Sequence, residues 1–362
     1  MQRNQHTISN GKLDIVVKCS QYPIDELLSF ASRENPKRGY LFVSKVLGKH
    51  WAVKPSRMRK TYDSLSTLIG SDVSTFVVGM SETATGLGAG VADSLARSQT
   101  NDVYYQHTTR HQLNDTVWLK VEESHSHATS HLLYQPEKSL LDKVKQCQRL
   151  LLVDDEISTG KTLKRLGDAL LDKGCCIEEV VIVSLVNWLD VEHKEQFTEW
   201  PVNVRFVSLL EGSFAFEERP NLDLSLPRNT DKDFSLMNSR RDLGRLPIKM
   251  PYAGEIPSLN VEGPITIIGD GEHLYFPFLV AEKAESDGRD VVFQSTSRSP
   301  IMLGDAIKSK LSFRVDHREV EHYIYNLESE GRTSLHFIED ERLRQQHQLA
   351  RHYPVSQYCE SE

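Results

Sequence analysis

The segment LLLVDDEISTGKT, residues 150–162, constrains the fold of this chain more than any other. Its run of four apolar residues predicts a strand that is buried on both faces, as strands of a parallel sheet are. Asp154 and Asp155 follow that strand, and a loop of small and hydroxylated residues then leads into a helix predicted over 161–173. Open α/β folds bind ligands at this edge of the sheet. The segment therefore predicts a ligand site at the end of a central strand.

The surrounding chain alternates short β-branched runs with stretches of helical spacing. We predict further strands at 76–80, 102–106 and 180–186, and helices at 86–96 and 139–146. Continuous apolar strands separated by helices are typical of a parallel sheet covered on both faces. The first domain, residues 1–211, is therefore predicted to be α/β.

Proline distribution divides the rest of the chain. Six of the fourteen prolines lie between residues 212 and 264, with polar residues between them, so this stretch is predicted to be a linker or a wrapping arm. A second, smaller α/β pattern occupies 265–362, with strands predicted at 265–269 and 290–294 and a helix at 278–284.

Composition excludes several classes of protein. The formal net charge is -8, from 43 Lys and Arg against 51 Asp and Glu, so no basic field favours nucleic acid as a partner. No apolar run reaches the roughly 18–20 residues of a membrane span, and the N-terminal sequence has no secretion signal, so we expect a cytoplasmic protein. The five cysteines include no CxxC pair and indicate neither a disulfide framework nor a zinc knuckle.

The residues of segment 150–162 suit two neighbouring chemical groups. Ionised carboxylates accept hydrogen bonds from a vicinal diol and from waters on a divalent cation. The loop Ser158–Thr162 offers hydroxyls, backbone N–H groups, a lysine and a helix N-terminus, which suit a phosphate. A diol beside a phosphate describes a ribose 5-phosphate.

The segment is similar to two other kinds of structure as well. A nucleotide P-loop matches Gly160-Lys161-Thr162, but its first glycine would have to stand where the chain has Asp155. A buried strand with an acidic turn would leave the hydroxyl-rich loop unexplained.

The segment resembles the phosphoribosyl pyrophosphate (PRPP) signature of type I phosphoribosyltransferases. That resemblance implies their parallel-sheet fold, PRPP as substrate and Mg²⁺ as cofactor. It assigns Asp154 and Asp155 to the ribose hydroxyls and, mostly through water and PRPP, to Mg²⁺. It assigns the 5-phosphate to the loop that follows, which comprises Ser158, Thr159, Gly160, Lys161 and Thr162.

Other parts of the first domain extend the resemblance. A small-residue loop after the strand at 76–80 is similar to the family's pyrophosphate loop; it comprises Ser81, Glu82, Thr83, Ala84, Thr85 and Gly86. Similar transferases carry a mobile loop with cationic and histidine side chains over the leaving pyrophosphate, and here the catalytic candidates are Arg110, His125 and His127. Lys45 and Lys49 are candidates for further phosphate contacts.

Three stretches narrow the resemblance to one bacterial family: EESHSHATSHLLY (122–134), NPKRGYLFVSKVLGKH (35–50) and STSRSP (295–300). They are similar to the phosphoribosyltransferase with a C-terminal TRSP domain, a family associated with tellurium-resistance and stress gene clusters. The naming motif reads Ser297-Arg298-Ser299-Pro300 here. The resemblance implies a pathway that makes a nucleoside-like product.

The second domain reads as a degenerate copy of the first. DVYYQHTTR (102–110) aligns with DVVFQSTSR (290–298) at five identities, and LLLVDDE (150–156) aligns with LHFIEDE (335–341). No hydroxyl-rich loop follows in the copy, so its 5-phosphate site is missing. Two roles stay open for this domain: a second ligand site that uses Glu272, Thr296 and Arg298, or packing against the first domain as a pseudo-dimer.

We therefore expect an enzyme that uses PRPP and Mg²⁺ to transfer a phosphoribosyl group to a small, base-like acceptor, with release of pyrophosphate. A regulator that binds PRPP or a nucleotide without turnover is the alternative, and a scaffold for a biosynthetic assembly is a third reading. Partners from a biosynthetic cluster or a second copy of the chain are both compatible with the sequence.

Overall fold

The structure is a computed structural model that describes residues 2–35, 38–70, 72–122, 130–220, 234–235, 242–315, 320–344 and 346–349. Its strands are β1 (Gln2–Ile8), β2 (Gly11–Ser20), β3 (Leu28–Ser32), β4 (Tyr40–Ser44), β5 (Thr75–Gly79), β6 (Val103–His107), β7 (His111–Gln112), β8 (Val117–Glu122), β9 (Ser130–Tyr134), β10 (Arg149–Ile157), β11 (Glu179–Asn187), β12 (Asn203–Glu218), β13 (Phe234–Ser235), β14 (Ile248–Met250), β15 (Ile265–Gly269), β16 (Val291–Ser295), β17 (Lys310–Arg314), β18 (Glu321–Tyr325) and β19 (Thr333–Phe337). Its helices are α1 (Ile24–Leu27), α2 (Pro55–Ile69), α3 (Ala84–Ser98), α4 (Lys138–Lys145), α5 (Lys161–Leu171), α6 (Val191–Glu195), α7 (Tyr275–Ser286) and α8 (Glu341–Arg344).

An eight-stranded sheet forms the centre of the first domain, in the order β1-β2-β12-β11-β10-β5-β6-β14. The five strands from β12 to β6 are parallel, and antiparallel strands extend the sheet at both ends. The apolar residues 150–153 of β10 are buried, as the sequence requires of a strand covered on both faces. The predicted parallel α/β fold is confirmed.

Helix α3 packs closely against the strands beneath it. At Gly88 an added Cβ would lie 2.9 Å from the Cα of Gly79, so only glycine permits this approach. The close contact fixes the start of α3 directly above the end of β5. No helix in the described ranges has the length and apolar character that crossing a bilayer would require.

The second domain repeats the topology of the first. Its three parallel strands lie in the order β16-β15-β19, which matches β6-β5-β10, and each unit adds an antiparallel hairpin, β17-β18 or β8-β9. Helix α7 follows β15 as α3 follows β5. The internal repeat predicted from the sequence is therefore present in strand order and direction.

Individual hydrogen bonds recur at equivalent positions in the two units. The Tyr134 hydroxyl donates to the carbonyl of His111, after β6, and accepts from a backbone N–H two residues further on; Tyr325 does the same after β16. The side-chain amides of Gln106 and Gln294 donate to the carbonyls of those same two tyrosines. Such detail identifies a repeat rather than two unrelated α/β units.

The structure corrects the repeat alignment by one residue in the last strand. Val153 pairs with Gly79 in the first unit and Phe337 pairs with Gly269 in the second, so Asp155 corresponds to Glu339 and not to Asp340. The sequence alignment matched acidic letters, whereas the hydrogen-bond ladder sets the true register.

Parts of the segment predicted as a linker or wrapping arm, 212–264, belong to the sheet of the first domain. Strand β12 continues to Glu218 because its second half pairs with β2, and β14, inside the expected linker, pairs with β6 at the sheet edge. Residues 248–250 therefore pack on the first domain, as the wrapping-arm alternative expects.

Candidate active site

Three consecutive carboxylates lie at the carboxyl end of β10. Asp154, Asp155 and Glu156 are partly buried, and the side chain of Asp154 accepts a hydrogen bond from the backbone N–H of Asp155 at 2.9 Å. Because β5 and β10 are parallel neighbours, the loop after β5 starts at the same edge, and the N–H of Met80 donates to the carbonyl of Val153. The predicted acidic pair and the predicted second loop thus meet at one end of the sheet.

The acidic cluster carries more negative charge than its surroundings balance. Burial raises the pKa of Asp154, Asp155 and Glu156, and repulsion from Asp155 raises the pKa of Asp154 further. Arg38 pairs with Glu156 at 2.7 Å, and the charges of Arg38 and Lys49 lower the pKa of Asp155 only in part. Such a cluster gains stability when a cation or hydrogen-bond donors bind to it.

The loop between β10 and α5 comprises Ser158, Thr159 and Gly160, and Lys161 and Thr162 form the first turn of α5. Gly160 has φ +68°, and an added Cβ would lie 2.8 Å from the ring of Phe197. The first backbone N–H groups of a helix lack intrahelical partners and favour anions. The structure therefore brings all five predicted residues to one helix N-terminus beside the acidic pair.

The loop after β5 continues directly into α3. Ser81, Glu82 and Thr83 form the turn, and Ala84, Thr85 and Gly86 open the helix. The N–H of Ser81 donates to the Thr108 hydroxyl at 2.9 Å, and the Thr85 hydroxyl donates to the carbonyl of Glu82 at 3.1 Å. These bonds hold the loop with a second helix N-terminus at the same edge.

Lys49 and Glu82 form a buried ion pair at the loop. Their charged atoms lie 2.5 Å apart, and the Lys49 ammonium also donates to the carbonyl of Gly271 at 3.0 Å. Burial raises the pKa of Glu82, but the charges of Lys49 and Arg298 lower it to about 2. The ammonium of Lys45 donates to the carbonyl of Asp25 and lies over the Trp51 ring.

The catalytic candidates are described only in part. Arg110 lies after β6 at the same sheet edge, and its backbone N–H donates to the carboxylate of Glu272 at 3.1 Å. His125 and His127 lie outside the described residues. The described His131 is buried, and its Nδ1 atom lies 3.1 Å from the hydroxyl oxygen of Ser81.

The three candidates for a second site line one cavity between the domains. Glu272, Thr296 and Arg298 share its wall with Glu82 and Asp270. The Thr296 hydroxyl accepts from the N–H of Gly271 at 2.8 Å and donates to Asp270 at 2.9 Å. The structure thus brings the predicted residues together and adds an acidic neighbour that the sequence did not indicate.

The two units contact each other reciprocally. Glu82 of the first unit lies 3.4 Å from the guanidinium of Arg298, and the equivalent Glu272 binds the N–H of Arg110, the counterpart of Arg298. Here the glutamate of each unit contacts the arginine of the other unit, which is the pattern of a twofold interface. These contacts agree with packing as a pseudo-dimer, which is one of the two roles left open for the second domain.

A cation precedes each unit and pairs with its loop glutamate. Lys49 pairs with Glu82, and the buried Arg245 pairs with Glu272 at 2.9 Å. Sequence reasoning missed Arg245 and the Arg38–Glu156 pair. The only sequence signal for Arg245 was a dipeptide that precedes both units, a glycine followed by a basic residue, at 48–49 and 244–245.

Comparison with known proteins agrees with these observations. The profile of a family described as phosphoribosyl transferase matches residues 27–213, and that of the TRSP domain C-terminal to it matches 251–352. A hypoxanthine/guanine phosphoribosyltransferase from Methanopyrus kandleri is 38% identical over 86 residues. The match covers 24% of this chain and 46% of that protein, so it spans about half of the relative.

Solved structures similar to the first domain are adenine phosphoribosyltransferases. The enzyme from Trypanosoma brucei is 14% identical with a TM-score of 0.36, over 51% of this chain and 77% of the other. The enzyme from Rhodothermus marinus is 16% identical with a TM-score of 0.35, over 51% and 95%. The family profile spans more than half of the chain, and on that ground the chain belongs to the phosphoribosyl transferase family of enzymes, with the TRSP domain as its C-terminal part.

Proposed function

We propose that the protein uses PRPP and Mg²⁺ to transfer a 5-phosphoribosyl group to a base-like acceptor, with release of pyrophosphate. One observation carries the proposal: a carboxylate pair, a glycine-terminated loop at a helix N-terminus and a second such loop share one sheet edge. Diol, 5-phosphate and pyrophosphate are the three groups that such an edge can bind together.

The proposed roles follow the chemistry of each group. Asp154 and Asp155 accept hydrogen bonds from the ribose hydroxyls, and the loop 158–162 binds the 5-phosphate. The backbone N–H groups of loop 81–86 hold the pyrophosphate. Arg110, with His125 and His127, neutralises charge on the leaving pyrophosphate as the sugar becomes oxocarbenium-like.

Mg²⁺ fits the donor set of this edge. Carboxylate oxygens are its preferred protein ligands, and it retains most of its waters, so Asp154 and Asp155 would hold it mainly through water and PRPP. The raised pKa values of these carboxyls favour a cation, because burial and mutual repulsion penalise their ionised forms. When bound, Mg²⁺ neutralises charge on the pyrophosphate.

We also propose the class of the acceptor and the pathway in which the enzyme acts. The hypoxanthine/guanine and adenine enzymes named above act on purines, which supports a base-like acceptor. The TRSP domain and the resemblance to stress-associated bacterial proteins support a role in tellurite resistance through a nucleoside-like product. Loss of tellurite tolerance on gene deletion, restored by the wild type and not by a variant that cannot bind PRPP, is the expected result.

Calorimetry tests the sugar-phosphate site directly. PRPP should bind the wild type in the presence of Mg²⁺, and Asp154→Asn with Asp155→Asn should remove that binding. The matched control is Asp14→Asn with Asp25→Asn, two exposed aspartates of the same domain, which should bind as the wild type does. Equal PRPP affinity in the two double variants would reject the proposed site.

Turnover separates an enzyme from a regulator. Arg110→Ala should lower the rate of pyrophosphate release with a panel of purine and pyrimidine bases and leave PRPP affinity within a few-fold of the wild type. A wild type that binds PRPP but releases no pyrophosphate with any base would favour the regulator.

A further inference from the structure

Two buried histidines and a partly buried aspartate converge in the second domain. Asp270 follows β15, His336 lies on β19 and His347 follows α8. One carboxylate oxygen of Asp270 lies 3.3 Å from Nε2 of His347 and 3.6 Å from Nε2 of His336. One ligand atom from each residue lies within 4.8 Å of the others, and both histidines are 0% exposed.

The imidazole nitrogens of this cluster are not satisfied by the surrounding protein. Among the residues that the structure describes, none gives either ring a well-aligned hydrogen bond, and the one charged group in ion-pair range of both Nε2 atoms is the Asp270 carboxylate. A buried polar group without a partner costs about 1–3 kcal/mol, so two such rings need compensation from something else. A metal ion coordinated by the two rings would supply it.

The first domain shows that this cluster is not a requirement of the fold. By the strand register, Asp270 corresponds to Met80 and His336 to Leu152, both buried apolar residues. The second unit therefore replaces two core positions with ligand-type side chains. Repeat packing alone favours the apolar residues, because burial of polar groups is costly.

Coordination of a metal by these side chains depends on their protonation. Neutral imidazole and ionised carboxylate are the forms that bind metals.

We propose that Asp270, His336 and His347 bind a divalent transition metal of the zinc class. Two imidazoles and a carboxylate favour such ions over Mg²⁺, which prefers oxygen ligands alone. Bonds of about 2.0–2.1 Å in a tetrahedral arrangement place ligand atoms roughly 3.3–3.4 Å apart, close to the two distances from Asp270. With three protein ligands, the fourth position is left for water or a small ligand.

The site lies where a metal can act on its surroundings. The Thr296 hydroxyl donates to Asp270 at 2.9 Å and orients the carboxylate. Asp270 also lines the interdomain cavity with Glu82 and Arg298, and the next residue, Gly271, accepts from Lys49. A ligand on the open metal position would therefore lie close to the loop of the first domain.

Cobalt and zinc titrations test the proposal on the full chain. Metal-free protein should bind about one equivalent of Co²⁺, with the visible absorption of a tetrahedral site, and Zn²⁺ should displace it. His347→Gln should weaken Zn²⁺ binding on the order of 100-fold or more, since even outer-shell changes cost 10–100-fold. His193→Gln is the control, because His193 pairs with Asp190 at 2.8 Å on the surface.

A second variant covers loss of folding. Asp270→Asn keeps the size of the side chain, and Zn²⁺ should raise the unfolding midpoint of the wild type and the control but not of this variant. Wild type that binds Zn²⁺ no more tightly than His347→Gln, or a midpoint that rises equally in Asp270→Asn, would overturn the site. Neither readout depends on PRPP, so its failure is separate from that of the proposed function.

Discussion

Replacement of Arg245 by methionine should destabilise the protein more than the same replacement of an arginine on the surface. This arginine is 1% exposed, and its guanidinium lies 2.9 Å from Glu272 and 3.6 Å from Asp242. It also binds the carboxylate of Glu339 and donates to the Thr109 hydroxyl at 3.2 Å. One cation thus serves two carboxylates of the second unit and one of the segment that joins the units, and it also binds a hydroxyl of the first unit.

The magnitude follows from the carboxylates left behind. Arg245→Met keeps most of the apolar stem but leaves three buried carboxylates without their shared cation, which costs about 3–5 kcal/mol. With roughly 2.1 cal/mol/K per residue of unfolding entropy, that corresponds to a fall of about 4–7 °C in the unfolding midpoint. Arg57→Met is the control, because Arg57 and Glu26 form an exposed pair worth at most about 1 kcal/mol.

The loss of stability in Arg245→Met, called the deficit below, should also depend on pH. In the wild type, burial raises the pKa of Glu272, but the charges of His111 and Arg245 lower it below its usual range, so Glu272 stabilises the native state above its unfolded pKa of about 4.3. Without Arg245 the pKa of Glu272 rises, and its ionisation then costs stability as the pH increases. The difference between wild type and variant should therefore shrink from about pH 7.5 to about pH 5.

Calorimetric scans of both variants at the two pH values provide the measurement. A midpoint for Arg245→Met within 1 °C of that for Arg57→Met, or a deficit that grows on acidification, would refute the electrostatic reasoning.

Three further expectations concern single positions. Gly160→Ala should lower stability by about 1–2 kcal/mol and raise the Kd for PRPP, because the residue has φ +68°; an unchanged Kd would contradict the loop geometry. Tyr134→Phe and Tyr325→Phe should each cost about 1–3 kcal/mol in chemical unfolding, since each removes one hydroxyl that bridges two backbone groups; a large inequality would contradict the repeat. PRPP affinity should rise as the pH increases above the usual pKa range of an aspartate, because ionised carboxylates accept the ribose hydroxyls and burial raises the pKa of Asp154; isothermal titration with Asp154→Asn should show a flatter profile.

Local sequence patterns accounted for the elements and for the edge at which they end. The apolar runs at 150–153 and 265–269 became buried strands because a parallel sheet covers both faces of each strand. Gly160 separates strand β10 from helix α5 because glycine readily adopts the positive φ that the turn requires, so the loop at 158–162 was also predictable. These features depend on neighbours within a few residues.

Contacts between distant segments could not be predicted in the same way. Arg245 meets Glu339 across 94 positions, and His347 meets Asp270 only after the last strand and α8 have folded back. Nothing within a local window distinguishes these residues from solvated charges. Only the packing of one unit on the other brings them together.

The two units differ in a way that separates interface from function. Glu82 and Glu272 occupy equivalent positions, and each pairs with the cation that precedes its own unit. Each glutamate also contacts the other unit, and these contacts between the units are enough to explain why Glu272 is present. The contact does not explain Asp270 and His336, whose counterparts Met80 and Leu152 are apolar and pack without any partner group. A copy that has lost its phosphate loop yet gained buried ligand groups is better understood as a unit with a separate binding role than as a support for the first domain.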